Sequence, residues 1–383
     1  MQKATRKGIF LLLLVIDLLF FISLGFSIPT INNENDIDID FSRIDKESKN
    51  INYPKTKEDL VQSILNIAQN DWEKARALYL WICRNIEYDT ESFFGNEIAS
   101  QNSENVFASK KSVCEGYSEL TLDIGTMLGL NIVKVSGYAK GYGYYQGKQF
   151  ESTDHAWIAF QIDEQWYLMD PTWGAGYVDD DKKFVRDVTT TWFAMDPRLF
   201  LYTHYPEDQR YLFLESPAPS LQEYINMQYI PAYIFIYLWR NDFTYNQQIE
   251  MIKILTERAN NLEKELDTFL ELLFSKKLGF SNNDVIQFLR SRDFPKFYSF
   301  PLQLSVIDVP KTGTLKAGKE YVFSIKISNA QAVAIICNDV FFYMKEKDGI
   351  YYKKITPGFG PVHIAAKPKN GKTYYTAIMY EVR

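Results

Sequence analysis

Residues 155–172 read His155-Ala156-Trp157-Ile158-Ala159-Phe160-Gln161-Ile162, then Asp163-Glu164, then Gln165-Trp166-Tyr167-Leu168-Met169-Asp170-Pro171-Thr172. Two runs rich in apolar and β-branched residues, parted by two polar ones, predict an antiparallel hairpin. A two-residue loop sets Ile162 opposite Gln165. The same register puts His155 opposite Thr172 and Trp157 opposite Asp170. Opposed and diagonal residues share a face of the sheet. His155 and Asp170 therefore project to one side, roughly 7–8 Å apart at Cα and within side-chain reach. A slip of one residue would send them to opposite faces. Alone, His155 reads as a strand-end histidine and Asp170, before Pro171, as a turn residue. Facing each other, they read as an imidazole with a carboxylate to orient it.

An imidazole held this way needs a nucleophile. The chain has three cysteines, at 83, 114 and 337. A sparse, odd set is no disulfide framework, and without a CxxC pair it supports no Cys-rich zinc site. Cys83 lies on an apolar stripe with Ala75, Leu78, Tyr79, Ile82 and Ile86, in a helix expected to begin at Asp71 as N-cap, and reads as a small core residue. Cys114 has a different setting. In Ser112-Val113-Cys114-Glu115, a serine followed three positions later by a glutamate, ahead of helical spacing, has the form of a capping box. With Ser112 as N-cap, Cys114 falls at the second helical position, among unpaired N–H groups at the positive end of the dipole. That environment favours thiolate and offers backbone donors to an oxyanion. Leu120, Ile124, Met127 and Leu128 are expected to face inward, and Gly129 to end the helix. The chemistry assigns roles: Cys114 as nucleophile, His155 as base and later acid, Asp170 as orienting group. No side-chain oxyanion donor stands out.

Three stretches in order resemble the core motifs of the transglutaminase-like superfamily: Val113-Cys114-Glu115-Gly116-Tyr117-Ser118, Asp154-His155-Ala156-Trp157, and Trp166-Tyr167-Leu168-Met169-Asp170-Pro171-Thr172-Trp173-Gly174. Leu80-Trp81-Ile82 and Asn85-Ile86-Glu87-Tyr88-Asp89 match upstream. Within that superfamily the chain looks most like the kyphoscoliosis peptidase group, through Ser136-Gly137-Tyr138-Ala139-Lys140-Gly141-Tyr142-Gly143 and His204-Tyr205-Pro206-Glu207-Asp208. The resemblance covers about 57–215. It implies an α+β, papain-like core of helices on an antiparallel sheet, with Cys114, His155 and Asp170 as its triad. It also implies an acyl-enzyme acting on peptide or amide bonds, as peptidase, transglutaminase or deamidase, with proteolysis favoured. Ser112 stands where these proteins often carry Gly. His204 matches a motif of the group but reads as structural, and Trp157, Trp166 and Trp173 read as packing. The rival reading, from another class, is a non-catalytic interaction module or scaffold.

The remaining chain sets bounds. Its 383 residues suggest two or three domains at roughly 100–200 residues each. The 46% hydrophobic and 23% charged content is that of a globular protein. A net charge of −6 gives no footprint for nucleic acid. Lys3, Arg6 and Lys7 precede an apolar run over 9–28, which predicts a signal peptide or signal anchor, hence export and a membrane attachment if uncleaved. Residues 29–56 read as a polar linker and 57–215 as the catalytic domain. Residues 216–298 are expected to be mainly helical, with Leu262, Leu266, Phe269 and Leu273 on one stripe. Tyr229 to Trp239 could be strand or helix. Residues 299–383 alternate in strand fashion between turn glycines and suggest a β-sandwich. The Gly/Tyr-rich stretch 137–147 reads either as a lip facing substrate or as a plain hairpin connection. No cofactor or metal is expected, and calcium lacks an EF-hand loop. The expected partner is a protein or peptide substrate.

Overall fold

The computed structural model describes residues 39–51, 54–95, 99–258, 281–291, 293, 295–298 and 301–383. The apolar run over 9–28 and the stripe from Leu262 to Leu273 lie outside them. Among the described residues no helix is long and apolar enough to cross a membrane.

The first half is a layer of helices against a five-stranded antiparallel sheet, as expected for an α+β core. The strands are Asn131–Ala139, His155–Ile162, Gln165–Met169, Phe193–Met195 and His204–Pro206, with the 155–162 strand near the middle. The hairpin register is the predicted one: Ile162 pairs with Gln165 and Ile158 with Met169. The second strand ends at Met169, because Asp170 leaves the ladder to cap the short helix Pro171–Ala175. Helix Asp71–Asn85 buries Ala75, Leu78, Tyr79, Ile82 and Cys83 as its spacing predicts, though its N-cap is Asn70 rather than Asp71.

Two expectations fail here in opposite directions: one stretch packs more than its polarity suggests and one apolar side chain packs less. Residues within the expected polar linker form helix Ser42–Glu47 and a further 3-10 turn, Ser48–Asn50. Ile44 is fully buried there, and Asp45 takes both ends of the Arg76 guanidinium at 2.8 Å. Met127, expected inward, is exposed, while Leu120, Ile124 and Leu128 are buried. The helix Cys114–Met127 closes one residue later: Gly129, at φ +78, sends its N–H to Thr126, and Leu130 reaches back to Gly125.

In the second half, Tyr229 to Trp239 resolves into helix Ala232–Arg240. Ile234, Phe235 and Leu238 are buried while Tyr233 and Trp239 are exposed, which is helical rather than strand periodicity. Past residue 300 the chain forms two mainly antiparallel sheets, one holding strands Leu304–Asp308, Tyr321–Ile327, Lys345–Lys347 and Ile350–Ile355. Its inward Phe323 and Ile325 share a core with Ile335, Ile364 and Ile378 of the other sheet. This strand-rich region is a sandwich in packing.

Candidate active site

Cys114 occupies the first position of its helix, and the capping box does not form. Val113 is the N-cap and has no side chain to cap with. Ser112 instead sits in the short parallel pairing of Glu87–Tyr88 with Lys111–Ser112, fully buried, its hydroxyl on Gln101 Oε1 at 2.7 Å and Val113 O at 2.9 Å. Glu115 turns away to pair with Lys134. Gln101 Oε1 also accepts Val113 N–H at 3.1 Å, so one distant amide does the anchoring expected of a local cap. Gly116 is required by this arrangement: a Cβ there would run into Ser112 Oγ and crowd Gln101. Cys114 nevertheless lies at the start of its helix. Its thiol stands at the open N-terminal turn, half-buried, beside N–H groups that have no acceptor within the helix.

The hairpin brings His155 Nε2 to 2.8 Å from Asp170 Oδ2. Asp170 is fully buried, and four donors surround it. Oδ1 accepts the Thr172 and Trp173 N–H groups at 2.8 and 3.0 Å, and Oδ2 faces His155 and also His204 Nε2 at 3.1 Å. Burial pushes the Asp170 carboxyl up, but the His155 charge and these hydrogen bonds win and hold it well below the usual carboxylate range. Burial likewise opposes charge on His155. The Asp170 carboxylate and the Cys114 thiol outweigh it and raise the imidazole to about 10. With Nε2 spent on Asp170, Nδ1 is the nitrogen left to exchange a proton with Cys114.

His204 is the residue whose role the sequence concealed. It is buried, stacked on Phe200 at 4.0 Å between ring centroids and against Trp173 at 4.4 Å. Its motif was visible, but the contact with Asp170 spans 34 positions and no local pattern carries it. Trp157 is buried and Trp173 half-buried, and both lie against the His155 ring, at 6.1 and 5.7 Å between centroids. Cys83 is buried beneath the site, its thiol pushed up by burial and bonded to Pro171 O at 3.4 Å. His363 lies in the distant sandwich.

Among the described residues, His155, Asp170 and His204 are the group whose ligand atoms lie close enough together for a metal, within 4.8 Å. Both imidazoles, however, meet the same carboxylate oxygen at hydrogen-bond distance, the arrangement of a proton network. From Tyr88, near Cys114, a chain of aromatic contacts runs outward. Tyr88, which feels the Cys114 charge, meets Phe93 at 5.6 Å. Phe93 and Phe94 in turn meet Tyr142 of the Gly/Tyr-rich stretch at 6.3 and 5.3 Å.

A family model described as transglutaminase-like superfamily matches residues 58–171. That span is a transglutaminase-like domain. Relatives of the chain include mouse Kyphoscoliosis peptidase, 32% identical over 191 residues, 49% of this chain and 29% of that protein. Hillarin of Drosophila melanogaster is 25% identical over 196 residues, 48% of this chain and 24% of that one. The chain thus spans under a third of the length of the curated relatives it matches. A solved structure titled "Crystal structure of a TGase" covers 45% of this chain and 40% of its own, at 19% identity and a TM-score of 0.26.

Proposed function

We propose that this protein is an exported cysteine peptidase that attacks peptide or amide carbonyls through a Cys114 acyl-enzyme. The observation that carries the reading is the buried Asp170, fixed by four donors, holding a charged His155 that also faces the Cys114 thiol. The Cys114 thiolate attacks the carbonyl carbon, and the N–H groups of its helical turn receive the oxyanion. His155 gives its proton to the leaving nitrogen as the C–N bond breaks, leaving a thioester. Water then attacks, losing a proton to His155, and the carboxylic product departs as the C–S bond breaks. Water as the acceptor is supported by the relative named a peptidase; an amine acceptor would make the same thioester a transglutaminase intermediate. The chain of aromatic contacts that starts near Cys114 suits a protein or peptide substrate with apolar side chains. Export rests on the basic flank and apolar run at the N-terminus.

The test is competitive alkylation of the full chain with iodoacetamide at pH 7, reading each cysteine by mass. Cys337 is an internal control, half-buried and with its thiol pushed up by burial. Cys114 should react at least about tenfold faster than Cys337, and His155→Ala should slow it by on the order of 10²-fold, the scale of general base assistance. Equal rates, or indifference to His155→Ala, would replace the enzyme with a transglutaminase-like scaffold.

A further inference from the structure

The mechanism above uses one of two imidazoles that share Asp170. We propose that His204 is a positioning residue of this site: a neutral imidazole, fixed by the Thr203 hydroxyl in its Nε2–H tautomer, that donates to Asp170 and thereby sets how strongly Asp170 holds His155. The inference rests on the reading of Cys114, His155 and Asp170 as the reacting trio.

The geometry leaves two placements of protons, and burial decides between them. Asp170 Oδ2 lies 2.8 Å from His155 Nε2 and 3.1 Å from His204 Nε2. A carboxylate oxygen repels a bare ring nitrogen at these distances, so each Nε2 carries a hydrogen. His204 Nδ1 lies 2.8 Å from Thr203 Oγ1. In a neutral Nε2–H ring that nitrogen is bare and accepts a hydrogen bond from the hydroxyl. Thr203 has an alternative acceptor in Phe200 O at 3.1 Å. Taking it would require a proton on Nδ1 as well, making His204 an imidazolium.

A second buried imidazolium is disfavoured here. Its ring centroid would stand 5.3 Å from that of the charged His155. Burial foremost, with the His155 charge added, outweighs the pull of Asp170 and of the Phe200 carbonyl and lowers His204 to about 4. The rings of Phe200, Trp173, Trp157 and Trp192 enclose it and add no further charge. The ionisable groups facing His155 are Asp170, Cys114 and Asp154. Tyr79, Cys83 and Tyr88 also feel Asp170, and burial keeps all three protonated.

An oxygen shared by two donors is a weaker base than the same oxygen serving one. Removing the His204 donor concentrates Asp170 on His155 and moves the loss of the His155 proton to higher pH. A His204 that merely filled space between Phe200 and Trp173 would leave that titration where it is.

The chain has three histidines, so histidine-labelled NMR of the full protein resolves each ring. In the wild type His204 should show the neutral Nε2–H pattern from pH 5 to 9. Thr203→Val removes the hydroxyl at equal shape, and should raise the His155 titration by roughly half to one unit, a three- to tenfold change in proton affinity. His204→Gln, whose side-chain N–H₂ can reach Asp170, should restore the wild-type titration more closely than His204→Phe. A doubly protonated His204 at pH 7, an Nδ1–H tautomer, or a His155 titration indifferent to Thr203→Val overturns the proposal. The wild-type tautomer alone decides if the variants do not fold. If the tautomer and coupling appear but Cys114 does not outpace Cys337 in alkylation, the peptidase reading falls while the positioning role stands.

Discussion

The two halves of this chain are both built on antiparallel sheets, yet they treat buried polarity in opposite ways. The interior of the C-terminal sandwich is Phe323, Ile325, Ala334, Ile335, Ile364 and Ile378, all at most 1% exposed. Its histidine, His363, is half-buried with an Nδ1 that finds no partner among the described residues, and burial lowers it. The N-terminal sheet buries Asp170, His204, Thr203 and Lys140 completely. Ionisable groups in a low-dielectric interior cost several kcal/mol each unless paired. The sandwich avoids that cost, whereas the first sheet offsets it with a closed network of donors around one carboxylate. Polarity retained at such expense marks where chemistry is proposed.

The comparison can be broken at its strongest point first. Asp170→Ala strands the His155 charge and the His204 N–H, and should cost about 3–5 kcal/mol of stability by removing one partner of a buried set. It should also abolish the preference of iodoacetamide for Cys114, and denaturant melts with cysteine-resolved mass spectrometry read both. A wild-type-like melt would mean that the carboxylate is not ionised in the folded chain. The pH profile of the loss has a definite sign. His155 is raised from 6.5 to about 10, so its pairing stabilises fully below pH 6.5 and fades as pH rises through about 10. Asp170 is lowered, so its share is present above pH 3.8 and fades as pH falls through the folded value. The Asp170→Ala deficit should therefore be widest between about pH 4 and 6.5.

Ile364→Ala, in the sandwich, should cost about 2–5 kcal/mol by opening a cavity, while leaving the Cys114 alkylation rate in the folded protein unchanged. A changed rate would show that the halves are coupled energetically. The smallest effect concerns Lys140. Its Nζ donates to Tyr224 O and Met227 O at 2.7 and 2.9 Å, with no carboxylate partner among the described residues, and burial lowers it to about 7. A neutral amine has two hydrogens for two carbonyls. Because the folded value is depressed, the unfolded chain binds more protons between about pH 7 and 10.5, and stability rises across that window. Lys140→Met should flatten this rise in melts taken from pH 7 to 10; an unchanged slope would place the charge elsewhere.

Much of the site was legible locally. The hairpin register follows from a two-residue loop and strand alternation, and it brought His155 and Asp170 together at 2.8 Å. Cys83 and Cys114 could be told apart by helix position alone, one on an apolar stripe and one at an N-terminus. What local reading got wrong were contacts supplied from afar. The capping box at Ser112 had its residues, but Gln101 captured the serine and Lys134 the glutamate. The polar segment 42–50 packs because Arg76, 31 positions past Asp45, reaches it.

The sequence by itself determined the hairpin of 155–162 with 165–169, the helix that begins at Cys114 and the face shared by His155 and Asp170, since period, turn length and helix ends are properties of neighbouring residues. Only the tertiary structure decided that His204 shares the Asp170 oxygen, that Lys140 is buried without a counter-charge among the described residues and that Gln101 anchors the start of the nucleophile helix. Those are pairings between residues distant in the chain. They are fixed by which polar groups must find partners once water is excluded, and that is known only after the core has closed.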